Sequence, residues 1–245
     1  MSTYANYPSL AGKSIFITGG ATGIGASLVE HFVAQGSRVA FIDIDDEAAA
    51  ALSADGRSRY LQCDVRDVAA LRSALSDAGD VDVLVNNAAR DDRHAVEDVD
   101  VDYWDERLAV NLRPHFFAAQ AVRAGMARRG GGSIINLGSV TVQMSSGQMA
   151  AYVTAKAGIC GLTRALARDF GQDRIRVNCL VPGWVITERQ RTLWLGPDGE
   201  KRIAERQCIP DQLIPEDIAR MALFLAADDS RHCTAQQFIV DGGWV

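Results

Sequence analysis

A chain of 245 residues, 48% hydrophobic and 23% charged, can bury one substantial core and is short for two full-sized domains, so a single domain over 1–245 is expected. Its formal charge of −6, with no clustered Lys/Arg stripe, would repel a phosphate backbone and argues against nucleic acid as a partner. The five cysteines (Cys63, Cys160, Cys179, Cys208, Cys233) lack a Cys-x-x-Cys pair, residues 1–10 lack a secretory pattern, and no apolar run is long enough to span a bilayer; the expectation is a reduced, cytoplasmic protein with neither a metal site nor a membrane partner.

Apolar runs of strand length alternate along the chain with longer segments of helical period. That alternation predicts an α/β fold, doubly wound, with a parallel sheet of seven strands and helices on both faces. Strands are predicted at 14–18, 38–43, 59–62, 83–86, 133–137, 176–181 and 238–240. Helices are predicted at 23–35, 46–53, 67–78, 101–129, 151–170 and 215–226, the last opening on Pro215 with Glu216 and Asp217 behind it. Residues 184–213, broken by Gly196-Pro197 and Pro210, follow the sixth strand and read as a lid over a site.

The first strand runs into Thr18-Gly19-Gly20-Ala21-Thr22-Gly23-Ile24-Gly25 and then an apolar helix. Glycine at 19, 23 and 25 permits a tight turn and close approach of a pyrophosphate to amides at the positive end of that helix. The spacing is not Gly-x-Gly-x-x-Gly, and a Gly-rich turn alone is a weak signal. Asp43 ends the second strand roughly 20 residues further on, where a carboxylate can accept both adenosine ribose hydroxyls and repel a 2′-phosphate. This favours NAD over NADP, although Arg38 lies on the same strand and Asp43 could be a solvated strand-end charge.

Tyr152 and Lys156 are four residues apart on a predicted helix and therefore project from one face. Ser139 lies just past the fifth strand, and the carboxyl ends of such strands line the ligand crevice. A phenol is a poor base at neutral pH, but a neighbouring ammonium favours its ionised form, so Lys156 is expected to lower the Tyr152 pKa. Tyr152 would then take a hydroxyl proton while hydride leaves the same carbon for a nicotinamide, and Ser139 would hold the substrate oxygen.

These motifs, in this order, resemble the short-chain dehydrogenase/reductase family over residues 12–243. The pattern Thr-Gly-x-x-x-Gly-x-Gly stands at 18–25, the adenine-side Asp at Asp64 in Cys63-Asp64-Val65, and Asn-Asn-Ala-Gly appears as Asn86-Asn87-Ala88-Ala89, with Ala replacing the last Gly. The resemblance implies a Rossmann fold, catalytic Ser139, Tyr152, Lys156 and Asn111, and an NAD site built from Gly19, Thr22, Gly23, Ile24, Gly25, Asp43, Asp64, Val65, Asn87, Ala88, Tyr152, Lys156, Pro182, Gly183, Val185 and Thr187. Asn111 would relay protons from Lys156 through water, or else be a polar helix kink. A homotetramer is also implied.

Residues 89–94, 103–107 and 235–245 are similar to those of bacterial aldose 1-dehydrogenases acting on xylose, arabinose or galactose. That likeness implies oxidation of an anomeric hydroxyl to a lactone, with a sugar as the small-molecule partner. Ser139, Tyr152, Asp91, His94, Gln148, Trp184 and Gln190 would touch it, supplying the hydrogen bonds a sugar needs. His94 could instead pair with Asp91 or Asp92, and Trp184 could be core. A ketone or 3-oxoacyl reductase is the alternative chemistry on this scaffold, and a non-catalytic dinucleotide-binding protein the alternative class.

Overall fold

The structure, a computed structural model, describes residues 4–245. A seven-stranded parallel sheet runs β3-β2-β1-β4-β5-β6-β7, from β1 (Ser14–Thr18), β2 (Arg38–Asp43), β3 (Ser58–Gln62), β4 (Val83–Asn86), β5 (Gly132–Leu137), β6 (Ile175–Pro182) and β7 (Gln237–Val240). Helices α1 (Gly23–Ala34), α2 (Asp46–Ser53), α3 (Val68–Ala78), α4 (Val101–Asn111), α5 (Arg113–Arg128), α6 (Ala150–Phe170), α7 (Glu188–Gln190), α8 (Gly199–Arg206) and α9 (Pro215–Ala226) fill the connections. This is the doubly wound Rossmann arrangement that the alternating pattern predicts.

The central strands are apolar almost without interruption because both faces are covered. In β1, Ile15 and Ile17 join the core that contains Leu28 and Phe32 of α1 and Ile218 and Ala222 of α9. Phe16, pointing the other way, joins Leu71 of α3, Val122 and Met126 of α5 and Leu166 of α6. The same two-residue period divides Val83 and Val85 from Leu84, and Ile135 from Ile134. Each such fully buried side chain contributes about 1.5–3 kcal/mol relative to exposure.

Helix starts follow local chemistry. The Asp45 carboxylate accepts from Ala48 N at 3.0 Å, Asp67 from Ala69 N and Ala70 N, and Asp100 from Tyr103 N at 2.7 Å, each satisfying an amide that the helix leaves free. Asp67 is thus a cap, and the predicted helix 67–78 begins at Val68.

The predicted helix 101–129 is two helices. Leu112, at φ −130°, breaks it, and Pro114 in the first turn of α5 has no N–H to give the Val110 carbonyl. Asn111 therefore ends α4 instead of occupying a helix centre. Within 184–213 the chain is more ordered than the prediction: α7 passes into a π turn at Arg191–Leu195, and α8 follows. The helical period of α8 was invisible because only Gly199 and Ile203 of its residues are buried.

Strand order reverses between β1 and β4, and the crevice at such a switch point lies beyond the carboxyl ends of the strands. The glycine turn, Asn87-Ala88, Ser139 and Pro182-Gly183 all follow strand ends on that rim.

Candidate active site

The glycine turn is held shut by contacts that leave no room for side chains. Gly19 has φ +68°, and a Cβ there would lie 2.7 Å from Ala88 Cα. A Cβ on Gly25 would lie 1.8 Å from Gly19 O. Thr18 Oγ1 accepts from Asn87 N at 3.0 Å and Ala88 N at 3.1 Å, while Asn87 Nδ2 donates to Gly19 O at 2.7 Å. The first turn of α1, from Gly23 through Ile24 and Gly25, consequently presents its amides beside the β4 loop. A Cβ on Gly23 would touch Thr187 Cγ2 at 3.1 Å, so the segment after β6 closes against the same turn.

Asp43 is preorganised by backbone amides: Oδ2 accepts from Ala21 N at 2.9 Å, and Oδ1 from Ile44 N at 2.7 Å and Asp45 N at 3.1 Å. Arg38 occupies the opposite end of β2, about 16 Å away along an extended strand, and its Nη2 donates to Ser14 Oγ at 2.8 Å. It does not reach the Asp43 end. Asp64, at the rim of β3, is clasped by Arg66 through Nε at 2.8 Å and Nη2 at 2.5 Å, and that guanidinium holds its carboxyl below the usual range despite partial burial. Val65 is buried next to it.

Beyond β6, Gly183 N donates to Val240 O at 2.8 Å, and a Cβ on Gly183 would lie 2.6 Å from Asp241 Cα. Val185 pairs with Leu213 across an isolated parallel bridge, fixing the two ends of the 184–213 segment together. Thr187 Oγ1 accepts from Gln190 N at 3.2 Å and caps α7.

Ser139, Tyr152 and Lys156 converge. Lys156, 2% exposed, donates from Nζ to Leu137 O at 2.7 Å and lies 5.5 Å from the Tyr152 ring centroid. Ser139 Oγ accepts from Thr141 N at 3.2 Å and from Thr141 Oγ1 at 2.8 Å. Burial pushes the Lys156 ammonium down to about 8, opposed by Cys179, Cys160 and Asp91. The Tyr152 phenol is not lowered as its lysine neighbour suggested: burial and then the Asp91 carboxylate push it up, with the Ser139 hydroxyl acting the other way. Desolvation outweighs an ammonium that lies against the ring.

Asn111 spends its side chain on structure. Oδ1 accepts from Arg90 N at 2.8 Å, and Nδ2 donates to Arg90 O at 3.1 Å and Arg107 O at 3.0 Å. The amide of His115, which would otherwise close on Asn111 O, donates to Leu112 O at 3.2 Å. What the break between α4 and α5 releases as an acceptor is the main-chain carbonyl of Asn111.

The candidate substrate residues fall into two groups. Trp184 Nε1 donates to Gln190 Oε1 at 3.0 Å, and Gln190 Nε2 donates to Asp91 Oδ2 at 2.7 Å. The Trp184 ring also packs edge-on to Trp244 at 6.2 Å. His94 pairs with neither Asp91 nor Asp92; its Nδ1 lies 3.1 Å from Tyr103 Oη, and its amide donates to Gln148 O at 2.8 Å. Gln148 itself is held at φ +60°.

A family model described as "Enoyl-(Acyl carrier protein) reductase" matches residues 19–245. The chain belongs to the short-chain dehydrogenase/reductase family. It is 49% identical over 245 residues to the D-xylose 1-dehydrogenase of Caulobacter vibrioides, covering 98% of each chain. A protein of Rhizobium meliloti described as "Probable galactose dehydrogenase" is 48% identical, over 98% of this chain and 97% of that one. Among solved structures, the ligand-free aldohexose dehydrogenase of Thermoplasma acidophilum superposes with TM-score 0.88 at 27% identity, covering 98% of this chain and 96% of that chain.

Within this short-chain dehydrogenase/reductase frame, two arginines stand beside the site whose ion pairs no spacing in the sequence marks. Arg189 bridges the 184–213 segment to Asp91 at 3.2 Å and Asp92 at 2.7 Å, and Arg107, almost fully buried, pairs with Asp92 at 2.5 Å. Neither has a local signal, since the partners of Arg189 are nearly a hundred residues away and Arg107 looks like any helix-surface charge. Among the described residues no group of three His, Cys, Asp or Glu side chains is arranged to hold a metal ion, and no helix is long and apolar enough to cross a membrane.

Proposed function

We propose that the chain is an NAD-dependent aldose 1-dehydrogenase that oxidises the anomeric hydroxyl of a cyclic sugar to the lactone. The observation that carries this reading is the convergence of Ser139, Tyr152 and the buried Lys156 at the rim where the glycine turn and Asp43 also lie. The sugar rests on the two relatives at 49% and 48% identity, whose names specify xylose and galactose. A ketone reductase is the second reading, since Ser139, Tyr152 and Lys156 would serve the same hydride transfer run in reverse.

The residues present fit a dinucleotide. The Gly19–Gly25 turn brings the first amides of α1 to the rim with no Cβ at 19, 20, 23 or 25, Asp43 is held by three backbone amides, and Lys156 has three N–H donors but, among the described residues, only the Leu137 carbonyl as a hydrogen-bond partner. Gly19, Thr22, Gly23, Ile24 and Gly25 would cradle the pyrophosphate; Asp43 the adenosine ribose; Asp64, Val65, Asn87 and Ala88 the adenine side; and Pro182, Gly183, Val185 and Thr187 the nicotinamide side. Bound nicotinamide supplies the hydride acceptor. Tyr152 takes the hydroxyl proton at its phenolic oxygen, Ser139 holds the substrate oxygen, and Lys156 supplies the positive charge that offsets the burial of a phenolate. The Asn111 carbonyl would accept from and hold the water through which protons pass outward from Lys156. Asp91, His94, Gln148, Trp184 and Gln190 would contact the sugar, with residues 184–213 folding over it as a lid latched by Arg189. The enzyme would work in the cytoplasm as a homotetramer, which light scattering of the purified protein checks.

Incubating the enzyme with NAD and a panel of aldopentoses and aldohexoses tests the reading. NADH and lactone should appear with at least one of them, and no turnover with any would refute the sugar assignment. Brisk reduction of small ketones with NADPH, and little activity with NAD, would favour the second reading. Replacing Asp43 by Ser should raise the KM for NAD about 10- to 100-fold, the loss expected for hydrogen bonds to a charged group, while kcat at saturation changes little. An unchanged KM would remove Asp43 from the cofactor site.

A further inference from the structure

Near Lys156, between α5, α6 and the ends of β4 and β5, lies a set of buried polar groups that the proposed chemistry does not use. His115, on α5 one turn past Asn111, is 1% exposed, and among the described residues neither ring nitrogen has a hydrogen-bond partner at normal geometry. Asn86, which ends β4 and is equally buried, has its Oδ1 unpartnered, while its Nδ2 donates to Asn136 Oδ1 at 2.9 Å and, more weakly, to His115 O at 3.5 Å. Asn136 Nδ2 continues to Thr163 Oγ1 at 3.0 Å, two turns beyond Lys156 on α6. The imidazole lies against the Asn86 main chain and feels the charge of Lys156.

Burial first, and then the Lys156 ammonium, hold the His115 imidazole well below its ordinary pKa, so it is neutral, with one nitrogen donating and the other accepting. One ring nitrogen faces the Asn86 main chain, so the other nitrogen and Asn86 Oδ1 remain as two buried acceptors without partners among the described residues, in an interior where nine in ten or more such groups are paired. Two acceptors, with a donor from the nearby ammonium, are what a buried water needs. The ammonium alongside has donors to spare after its bond to Leu137 O.

We propose that His115 is a positioning residue for Lys156: with Asn86 it holds ordered water behind the ammonium and so keeps Lys156 oriented and charged next to Tyr152. A phenylalanine-sized apolar group would fill the same space but leave the ammonium without that support. The inference rests on the functional reading of Lys156 given above, whereas the water itself does not.

Two measurements test it. In the His115→Phe enzyme, kcat/KM for oxidation should be followed from about pH 6 to pH 10. A less supported Lys156 offers less positive charge to Tyr152, so the acidic limb should move up by about one pH unit. Activity would then fall about tenfold on the acid side, recover on the alkaline plateau, and be largely restored in His115→Gln, which keeps a hydrogen-bonding amide. The other charges acting on Lys156, from Cys160 on α6, Cys179 on β6 and Asp91 after β4, are the same in all three proteins. A loss equal at every pH, with the limb unmoved, overturns the proposal. Independently of substrate, and even if His115→Phe does not fold, a high-resolution crystal structure of the unsubstituted enzyme should show water within hydrogen-bond reach of both His115 and Asn86 Oδ1; a dry ring overturns it.

Discussion

Replacing Tyr152 by Phe should lower kcat for oxidation by about 10²- to 10⁴-fold, the span a positioned acid–base group supplies, while leaving the fold and NAD binding close to those of the parent enzyme. The substitution removes one oxygen and keeps the ring on the α6 face above Lys156. It deletes the phenolic hydroxyl beside Ser139, and Ser139 cannot replace it, since its oxygen already accepts two bonds from Thr141 and an alcohol is far less acidic than a phenol. Because burial holds the Tyr152 phenol above its ordinary pKa in the enzyme alone, turnover by the parent should climb with pH until the phenol ionises. The Phe variant should lack that rise. Steady-state kinetics over a pH series, with a thermal melt as the control for folding, would decide it, and wild-type turnover in the variant would take Tyr152 out of the chemistry.

Replacing Lys156 by Met should have opposite effects on activity and on stability. Turnover should fall about 10³-fold, because the positive charge next to the phenol is gone. Stability of the cofactor-free enzyme at pH 7 should rise by about 1–2 kcal/mol. The reason is the burial of the ammonium: a pKa lowered from 10.5 to about 8 corresponds to a folding penalty of about 3 kcal/mol. Loss of the donor to Leu137 O returns about 1–2 kcal/mol of that. Below about pH 8 the lysine is charged whether folded or unfolded, and the whole penalty is present. Between about pH 8 and 10.5 the unfolded chain holds a proton that the folded one has released, so the parent gains stability with rising pH. The Met variant does not share that gain, and its advantage should shrink through that window. Urea titrations across the range measure it. A Met variant less stable at pH 7 would show that the ammonium is better paired than its bond to Leu137 O allows, and would contradict the inferred strain.

How far the sequence reached is clearest in the elements around the site. Five-residue β1 and the glycine turn after it are legible because their determinants are local: an apolar run buried on both faces, then glycines where the chain must take positive φ or where a Cβ would come within 3 Å of another backbone. Asp43, Ser139, Tyr152 and Lys156 were legible for the same reason, since a strand end or a one-turn spacing fixes where each side chain projects. The break at Leu112 was also written locally, in Pro114, but the apolar period running across it concealed it.

Other features depended on contacts between distant segments. Arg189 meeting Asp91 and Asp92, His94 meeting Tyr103 instead of those aspartates, and His115 meeting the Asn86 main chain have no signature in spacing, because parallel crossovers bring together residues that composition cannot pair. Ionisation was misjudged for the same reason. The sequence places an ammonium one turn from a phenol and so predicts a lowered pKa, but only the folded packing decides how much water each group loses, and around Tyr152 desolvation wins. The sequence by itself determined which groups stand on the rim of the sheet; the tertiary structure decided how dry they are and what stands behind them, since solvation is a property of the surrounding volume and not of the neighbouring residues in the chain.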